Sequence, residues 1–172
     1  MTVALWLSSE AEAATSGRVT HDWVATGVSI DSRTLEPGDL FVAIEGPNFD
    51  GHKFVGDALA KGAVAAVVSR VPDALAPETS LLIVDDTLKA LEGLAAASRA
   101  RTTAKIIAVT GSVGKTGSKE ALNKVLSAQG ETYATEGSLN NHWGLPLSLA
   151  RLPRTAKFGV FELGMNHPGE IE

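Results

Sequence analysis

The sequence predicts an α/β protein whose strands pair in parallel, and three observations predict it. Short apolar runs with β-branched residues mark strands: Ala63–Ser69 reads as a buried strand and Lys105–Thr110 as an apolar one. Apolar stripes at helical spacing lie between and after them, at Phe54, Val55, Ala58 and Leu59, at Leu88, Leu91, Leu94 and Ala95, and at Ala121, Leu122, Val125 and Leu126. Strand and helix signals alternate along the chain, the order that parallel sheets produce.

The elements follow in order. The first 20 residues are Ala-rich and predict a short helix. Gly27–Asp31 and Asp39–Ile44 read as strands separated by the turn Glu36-Pro37-Gly38-Asp39. Residues 46–52 carry turn chemistry throughout, and the Phe54–Leu59 helix stops at Gly62. Two prolines make Val71–Ser80 a loop before a strand at Leu81–Asp85. Asp86 or Thr87 caps the next helix. Polar residues Arg99–Thr103 mark the expected boundary between a domain over 1–100 and a domain over 101–172. Beyond it come the Lys105–Thr110 strand and a helix from Lys115 to about Gln129, stopped at Gly130. A short strand at Glu131–Thr135, a loop to Trp143, a helix at Leu145–Leu152 and a strand at Phe158–Leu163 complete the pattern.

Composition narrows the function classes. The chain has 172 residues with 15 Lys+Arg against 20 Asp+Glu, a net charge of −5. No cysteine is present, which excludes disulfides, thiolate nucleophiles and Cys-ligated zinc. The longest apolar run, Ala63–Val68, falls far short of the roughly 18 residues of a membrane span. No basic residue precedes Val3–Leu7, so a secretory signal is not expected and the cytoplasm is the expected address. Residues 1–100 hold 7 basic and 14 acidic side chains, a balance of −7, whereas residues 101–172 hold 8 and 6, a balance of +2. That asymmetry suits two modules with different ligands, the second anionic. Without a Lys/Arg block, and with 5% aromatic residues, no nucleic-acid partner is expected.

The strongest chemistry lies at Thr110-Gly111-Ser112-Val113-Gly114-Lys115-Thr116, where a buried strand runs through a Gly-rich turn into a helix. Backbone N–H groups converge on phosphate oxygens in such a turn. Lys115 would reach the outer phosphates, and the Thr116 hydroxyl would sit on Mg²⁺. The general pattern places a glycine where this chain has Val109. Glu162 closes the apolar strand Phe158–Phe161; it suits a Mg²⁺ carboxylate and equally an ordinary strand end. Asn166 or His167 suits a helix cap beside Pro168. The four histidines show no metal-ligand spacing. Asp31-Ser32-Arg33 and Asp50-Gly51, taken alone, have turn chemistry.

The loop Thr110–Thr116 resembles the ATP loop of the Mur ligases, which also lack the glycine at the Val109 position. Residues 137–147, Gly-Ser-Leu-Asn-Asn-His-Trp-Gly-Leu-Pro-Leu, resemble the substrate loop of the subgroup that adds D-alanyl-D-alanine. Residues 162–171, Glu-Leu-Gly-Met-Asn-His-Pro-Gly-Glu-Ile, resemble the same subgroup's carboxylate strand and following loop. Asp31-Ser32-Arg33 and Phe49-Asp50-Gly51-His52-Lys53-Phe54 resemble its UDP-binding elements. Sister ligases usually have a Thr-rich ATP loop and lack the Asn-Asn pair.

The resemblance implies a small mixed-sheet N-terminal UDP-substrate domain followed by the first half of a parallel-sheet P-loop ATPase domain. It implies an ATP- and Mg²⁺-dependent ligase of bacterial peptidoglycan synthesis that joins D-Ala-D-Ala to UDP-N-acetylmuramoyl-tripeptide through an acyl phosphate, a monomer as the full-length enzyme. Gly111, Ser112, Val113, Gly114, Lys115, Thr116 and Gly117 would hold the nucleotide, with Lys115 and Glu162 catalytic and Thr116 and Glu162 on the metal. Ser32, Arg33, Asp50, Gly51 and His52 would surround the uridine diphosphate, and Asn140, Asn141, Asn166 and His167 the muramoyl peptide. Members of the family are longer, with three domains, so the chain is expected to be an N-terminal fragment that does not ligate by itself. The alternatives are a UDP-muramoyl-peptide binding module and an unrelated P-loop ATPase or kinase.

Overall fold

The computed structural model describes residues 3–46, 49–73, 75–137 and 142–164. The chain divides into two compact units, Met1–Ala97 and Ser98–Glu172.

In chain order the first unit contains β1 (Trp6–Leu7), α1 (Ser8–Thr15), β2 (Arg18–Val19), β3 (Val24–Ala25), β4 (Gly27–Ser29), β5 (Asp39–Val42), β6 (Glu45–Gly46) and β7 (Phe49–Asp50). A 3₁₀ turn at Gly51–Phe54 leads into α2 (Val55–Ala60), then β8 (Ala65–Val68), β9 (Leu81–Ile83) and α3 (Thr87–Arg101), whose last residues from Ser98 fall in the second unit. The main sheet has the order β2-β9-β8-β5-β4. Its inner pairs are parallel, whereas β2 joins β9 antiparallel, so the sheet is mixed. Two small antiparallel pairs, β1 with β3 and β6 with β7, stand beside it.

Side chains alternate across this sheet as the strand period demands. Phe41, Ala66, Val68 and Leu81 share a core with Val55 and Ala58 of α2. Leu40, Val42, Ala65, Val67 and Leu82 point the other way and are also fully or almost fully buried. β8 has every residue buried, which is why it reads as an unbroken apolar run. Asp86 caps α3: its Oδ1 accepts the N–H groups of Leu88 and Lys89 at 2.8 and 3.0 Å. Phe54, expected on the inward face of the following helix, instead lies in the 3₁₀ turn and is 44% exposed.

The second unit contains β10 (Lys105–Val109), α4 (Lys115–Ser127), β11 (Thr132–Ala134), α5 (Gly144–Ala150) and β12 (Phe158–Glu162). Its sheet is wholly parallel, with β12 between β10 and β11. On one face Phe161, Ala104, Leu152 and Ala156 form a core flanked by Ile106, Tyr133, Leu145 and Leu149. α4 packs against all three strands. Its orientation corrects the expected stripe: Ala121 and Val125 are exposed, while Leu122 and Leu126 are half-buried around a fully buried Lys119. At 100° per residue, positions 115, 119, 122 and 126 fall within one narrow face, and 121 and 125 lie well off it. The buried lysine therefore sets the rotation of the helix.

Gly93 of α3 shows why α1 and α3 approach closely. A Cβ there would meet the carbonyl oxygen of Ala14 well inside van der Waals contact, with the Ala14 carbonyl carbon at 3.4 Å. Backbone cannot swing aside as a side chain does. Gly93→Ala is expected to destabilise the first unit by about 1–3 kcal/mol through overpacking, despite the better helix propensity of alanine. Urea denaturation followed by circular dichroism measures this; an unchanged or raised midpoint contradicts the close approach.

Candidate functional site

The phosphate loop is set by strand register. Val109, the last residue of β10, lies opposite Glu162, the last residue of β12. The ladder continues one step further, with the Leu163 N–H donating to the Val109 carbonyl at 2.9 Å. Loop and carboxylate therefore leave the sheet side by side at the carboxyl ends of parallel strands, where α/β sheets bind ligands. Gly114 caps α4 with φ +76°, a left-handed conformation that disfavours side chains with a Cβ. A Cβ at Gly114 or Gly117 would stand in open space, and residues 111–114 are exposed, so the loop is open to solvent. The first turn of α4 carries no acidic residue, leaving its N–H groups and dipole to an anion.

Three polar groups converge here. The Lys115 ammonium folds back to donate to the Gly111 carbonyl at 2.8 Å. The Thr116 hydroxyl donates to Glu162 Oε2 at 3.1 Å. Glu162 is only 2% exposed. A hydroxyl and a carboxylate side by side form a hard-oxygen donor set, which fits Mg²⁺ and not a soft metal. The sequence-predicted pair Thr116 and Glu162 is thus brought together, with Lys115 at the same loop.

A second layer was invisible in the sequence. Lys119, one turn beyond Lys115, has no exposed surface. Its ammonium donates to the carbonyls of Thr135 at 2.7 Å and Gly137 at 3.0 Å, and pairs with Glu120 at 3.1 Å. The only available signal was its spacing, because Lys115, Lys119, Leu122 and Leu126 share one helical face.

In the first unit, β4, β5 and β8 lie side by side and parallel. The segments that follow them, 30–33, 43–46 and 69–70, therefore leave the same carboxyl edge of the sheet. Asp31 and Arg33 form a two-pronged ion pair, with Arg33 Nη2 donating to Asp31 Oδ2 at 2.6 Å and Nε to Oδ1 at 2.9 Å. Those hydrogen bonds hold the Asp31 carboxyl below its ordinary range against a smaller opposing push from burial. Ser32 is buried, and its carbonyl accepts from Lys61 Nζ at 2.7 Å.

Asp50 opens the 3₁₀ turn, and its Oδ1 accepts the His52 N–H at 3.0 Å and meets His52 Nδ1 at 2.9 Å. Burial raises the Asp50 carboxyl, but the His52 side-chain and backbone hydrogen bonds and the Arg70 charge outweigh it, so the net shift is downward. His52 is 5% exposed, and its Nε2 accepts the Ser69 N–H at 3.0 Å. An accepting Nε2 places the ring proton on Nδ1, facing Asp50. Both ring nitrogens are therefore held inside the protein.

Glu45, Asp50 and His52 also place ligand atoms within 4.8 Å of one another, a cluster the histidine spacing does not announce. Arg70 already bridges its two carboxylates, donating to Glu45 Oε2 at 3.0 Å and to Asp50 Oδ2. The guanidinium supplies the cation. Asn140, Asn141, Asn166 and His167 lie outside the described residues.

Residues 24–99 match the description "Mur ligase family, catalytic domain", and residues 109–172 match "Mur ligase middle domain". The chain is 46% identical over 150 residues to the UDP-N-acetylmuramoyl-tripeptide–D-alanyl-D-alanine ligase of Escherichia coli (strain K12), covering 87% of this chain and 32% of that protein. It is 37% identical over 167 residues to the ligase of that name from Rickettsia prowazekii (strain Madrid E), covering 97% and 37%. A crystal structure of MurF from Acinetobacter baumannii superposes with a TM-score of 0.81 at 40% identity, over 96% of this chain and 37% of that one. MurF from Thermotoga maritima in complex with ADP gives 0.67 at 32% identity, over 84% and 33%. The chain thus spans about a third of the length of the relatives it matches. With the two family descriptions matching in chain order across both units, the chain belongs to the Mur ligase family.

Proposed function

We propose that this chain supplies the UDP-substrate unit and the ATP loop of a ligase that joins D-Ala-D-Ala to UDP-N-acetylmuramoyl-tripeptide. The domain over 1–100 takes the UDP-linked substrate, and 101–172 forms the first part of the ATP domain. The observation that carries the reading is the Thr116–Glu162 pair at 3.1 Å beside the open Gly111–Gly117 loop. The solved Thermotoga relative is in complex with ADP, which supports a nucleotide among the ligands.

In the proposed reaction the terminal carboxylate oxygen of the tripeptide attacks the γ-phosphorus of ATP and ADP leaves. The amino group of D-Ala-D-Ala then attacks the acyl carbon, a proton departs, and phosphate is expelled as the amide forms. The difficulty of the first step is electrostatic, because two anions must meet. Backbone N–H groups of the loop, from Gly111 through Gly117, cradle the phosphates. Lys115 exchanges its Gly111 carbonyl for phosphate oxygens and offsets their charge. Thr116 and Glu162 hold Mg²⁺, which when bound supplies further positive charge to the phosphates.

For the UDP moiety the reading assigns Ser32, Arg33, Asp50, Gly51 and His52. Arg33 suits a diphosphate because its side chain is 85% exposed while Asp31 orients its guanidinium. His52 contributes by fixing the turn rather than by offering a ring nitrogen. Asn140, Asn141, Asn166 and His167 are assigned to the muramoyl peptide.

Thermal unfolding tests the reading unit by unit. A ligand at 100 times its Kd adds about 2.7 kcal/mol, a rise of roughly 5–10 °C for a chain of this size. ADP with Mg²⁺ and UDP-muramoyl-tripeptide are each expected to raise Tm by several degrees. Absence of both shifts in a folded sample contradicts the proposal. Lys115→Ala is expected to abolish the nucleotide shift and spare the muramoyl one. Arg33→Ala is expected to do the reverse, weakening muramoyl-ligand binding at least tenfold by calorimetry while ADP binding stays within twofold.

A further inference from the structure

We infer that Lys119 and Thr135 are positioning residues for the Glu162 carboxylate, and that through it they set the divalent-cation dependence of nucleotide binding. The inference rests on the nucleotide reading above. Lys119 and Thr116 sit on the same helix and reach the same carboxylate residue by different routes. Thr116 meets it directly, hydroxyl to Glu162 Oε2. Lys119 reaches it through Thr135, whose carbonyl accepts from the ammonium at 2.7 Å. Thr135 Oγ1 then accepts the Glu162 backbone N–H at 3.3 Å, and the Thr135 N–H donates to the Val160 carbonyl at 3.0 Å. The circuit closes on α4. Lys119, Thr135 and Glu162 are 0%, 2% and 2% exposed.

A lysine is an expensive way to fill a buried helix position, since an unpaired ammonium there is strongly disfavoured. A leucine would serve packing alone. What a lysine adds is donors aimed at two converging carbonyls, those of Thr135 and Gly137, just beyond the end of β11. Without it the Thr135 carbonyl loses its ammonium donor in a buried position, and the backbone there is free to shift. Any such shift moves Thr135 Oγ1 off the Glu162 N–H. The consequence falls on the carboxylate's position opposite Thr116, hence on the cation, and not on the loop N–H groups that hold phosphate.

Calorimetric titration of the chain with ADP, in Mg²⁺ and in EDTA, separates these effects. The parent is expected to bind ADP more tightly in Mg²⁺. Lys119→Met is expected to keep the EDTA affinity within twofold while the Mg²⁺-dependent tightening falls tenfold or more. Lys119→Arg, which keeps charge and donors, is expected to restore part of it. Thr135→Val keeps the side-chain shape and is expected to show the same split, so it decides the matter if Lys119→Met does not fold. The double variant is expected to be no worse than the more affected single one, because both act along one path. An unchanged Mg²⁺ effect, an equal loss with and without the metal, or additive losses in the double variant overturns the positioning role. A parent that binds no ADP in either condition overturns the nucleotide reading, and this inference with it.

Discussion

The second unit depends on one alignment, the parallel register that sets Val109 opposite Glu162. The β10 strand must end where the phosphate loop begins, and β12 must end where its carboxylate is wanted. A slip by one residue would turn Glu162 to the opposite face of the sheet and leave the Thr116 hydroxyl without it. The register is held by more than its ladder. Phe161, adjacent to Glu162, points into the core with Leu152 and Ala156, so apolar burial on one face fixes the polar group on the other. Burial of about one Phe side chain is worth roughly 1.5–3 kcal/mol, enough to decide between two registers that differ little in hydrogen bonding.

The same logic places the polar residues of the first unit. Its strands β4, β5 and β8 run parallel, and the segments after them gather at one edge. Here the rigid element is a chain of side-chain contacts centred on a buried imidazole rather than a sheet register. Arg70 grips Asp50, Asp50 orients His52, and His52 accepts from the Ser69 backbone next to Arg70. The end of β7 and the 3₁₀ turn are thereby tied to the segment that follows β8. Arg70 and Glu45 remain half exposed, so their ion pair adds little by itself, and the constraint lies in the buried imidazole. A metal at Glu45, Asp50 and His52 would have to displace the guanidinium and break an imidazole contact, to Asp50 or to the Ser69 N–H.

Much of this was legible before the structure. The strand, loop and helix around Thr110–Thr116 follow from local pattern, as do the buried β8 and the Asp86 cap. Local chemistry also announces the turn that begins at Asp31, though not the Asp31–Arg33 ion pair within it. What escaped depends on partners distant in sequence. Arg70 meets Glu45 and Asp50 across 25 and 20 residues; the Thr116–Glu162 pair, 46 residues apart, was announced by the family resemblance and not by local pattern. The strands β1, β2 and β3 have two residues each, too few for a period to register. Lys119 escaped for another reason: hydropathy assigns lysine to solvent, so the expected inward stripe was drawn through Ala121 and Val125 instead.

That misplacement bears on how the two layers of the site divide their work. Had α4 turned Ala121 and Val125 inward, Lys119 would have faced water, and Thr116, three residues earlier and about 60° round the same helix, would have turned with it. The rotation that buries the lysine is therefore the rotation that brings Thr116 to Glu162. Apolar burial alone sets the angle of a helix less strictly, because the hydrophobic effect is not directional. Hydrogen bonds to two fixed carbonyls are directional, and weaken steeply when bent. In the second unit, then, apolar packing decides that α4 lies on the sheet, and the buried ammonium decides its angle about its own axis.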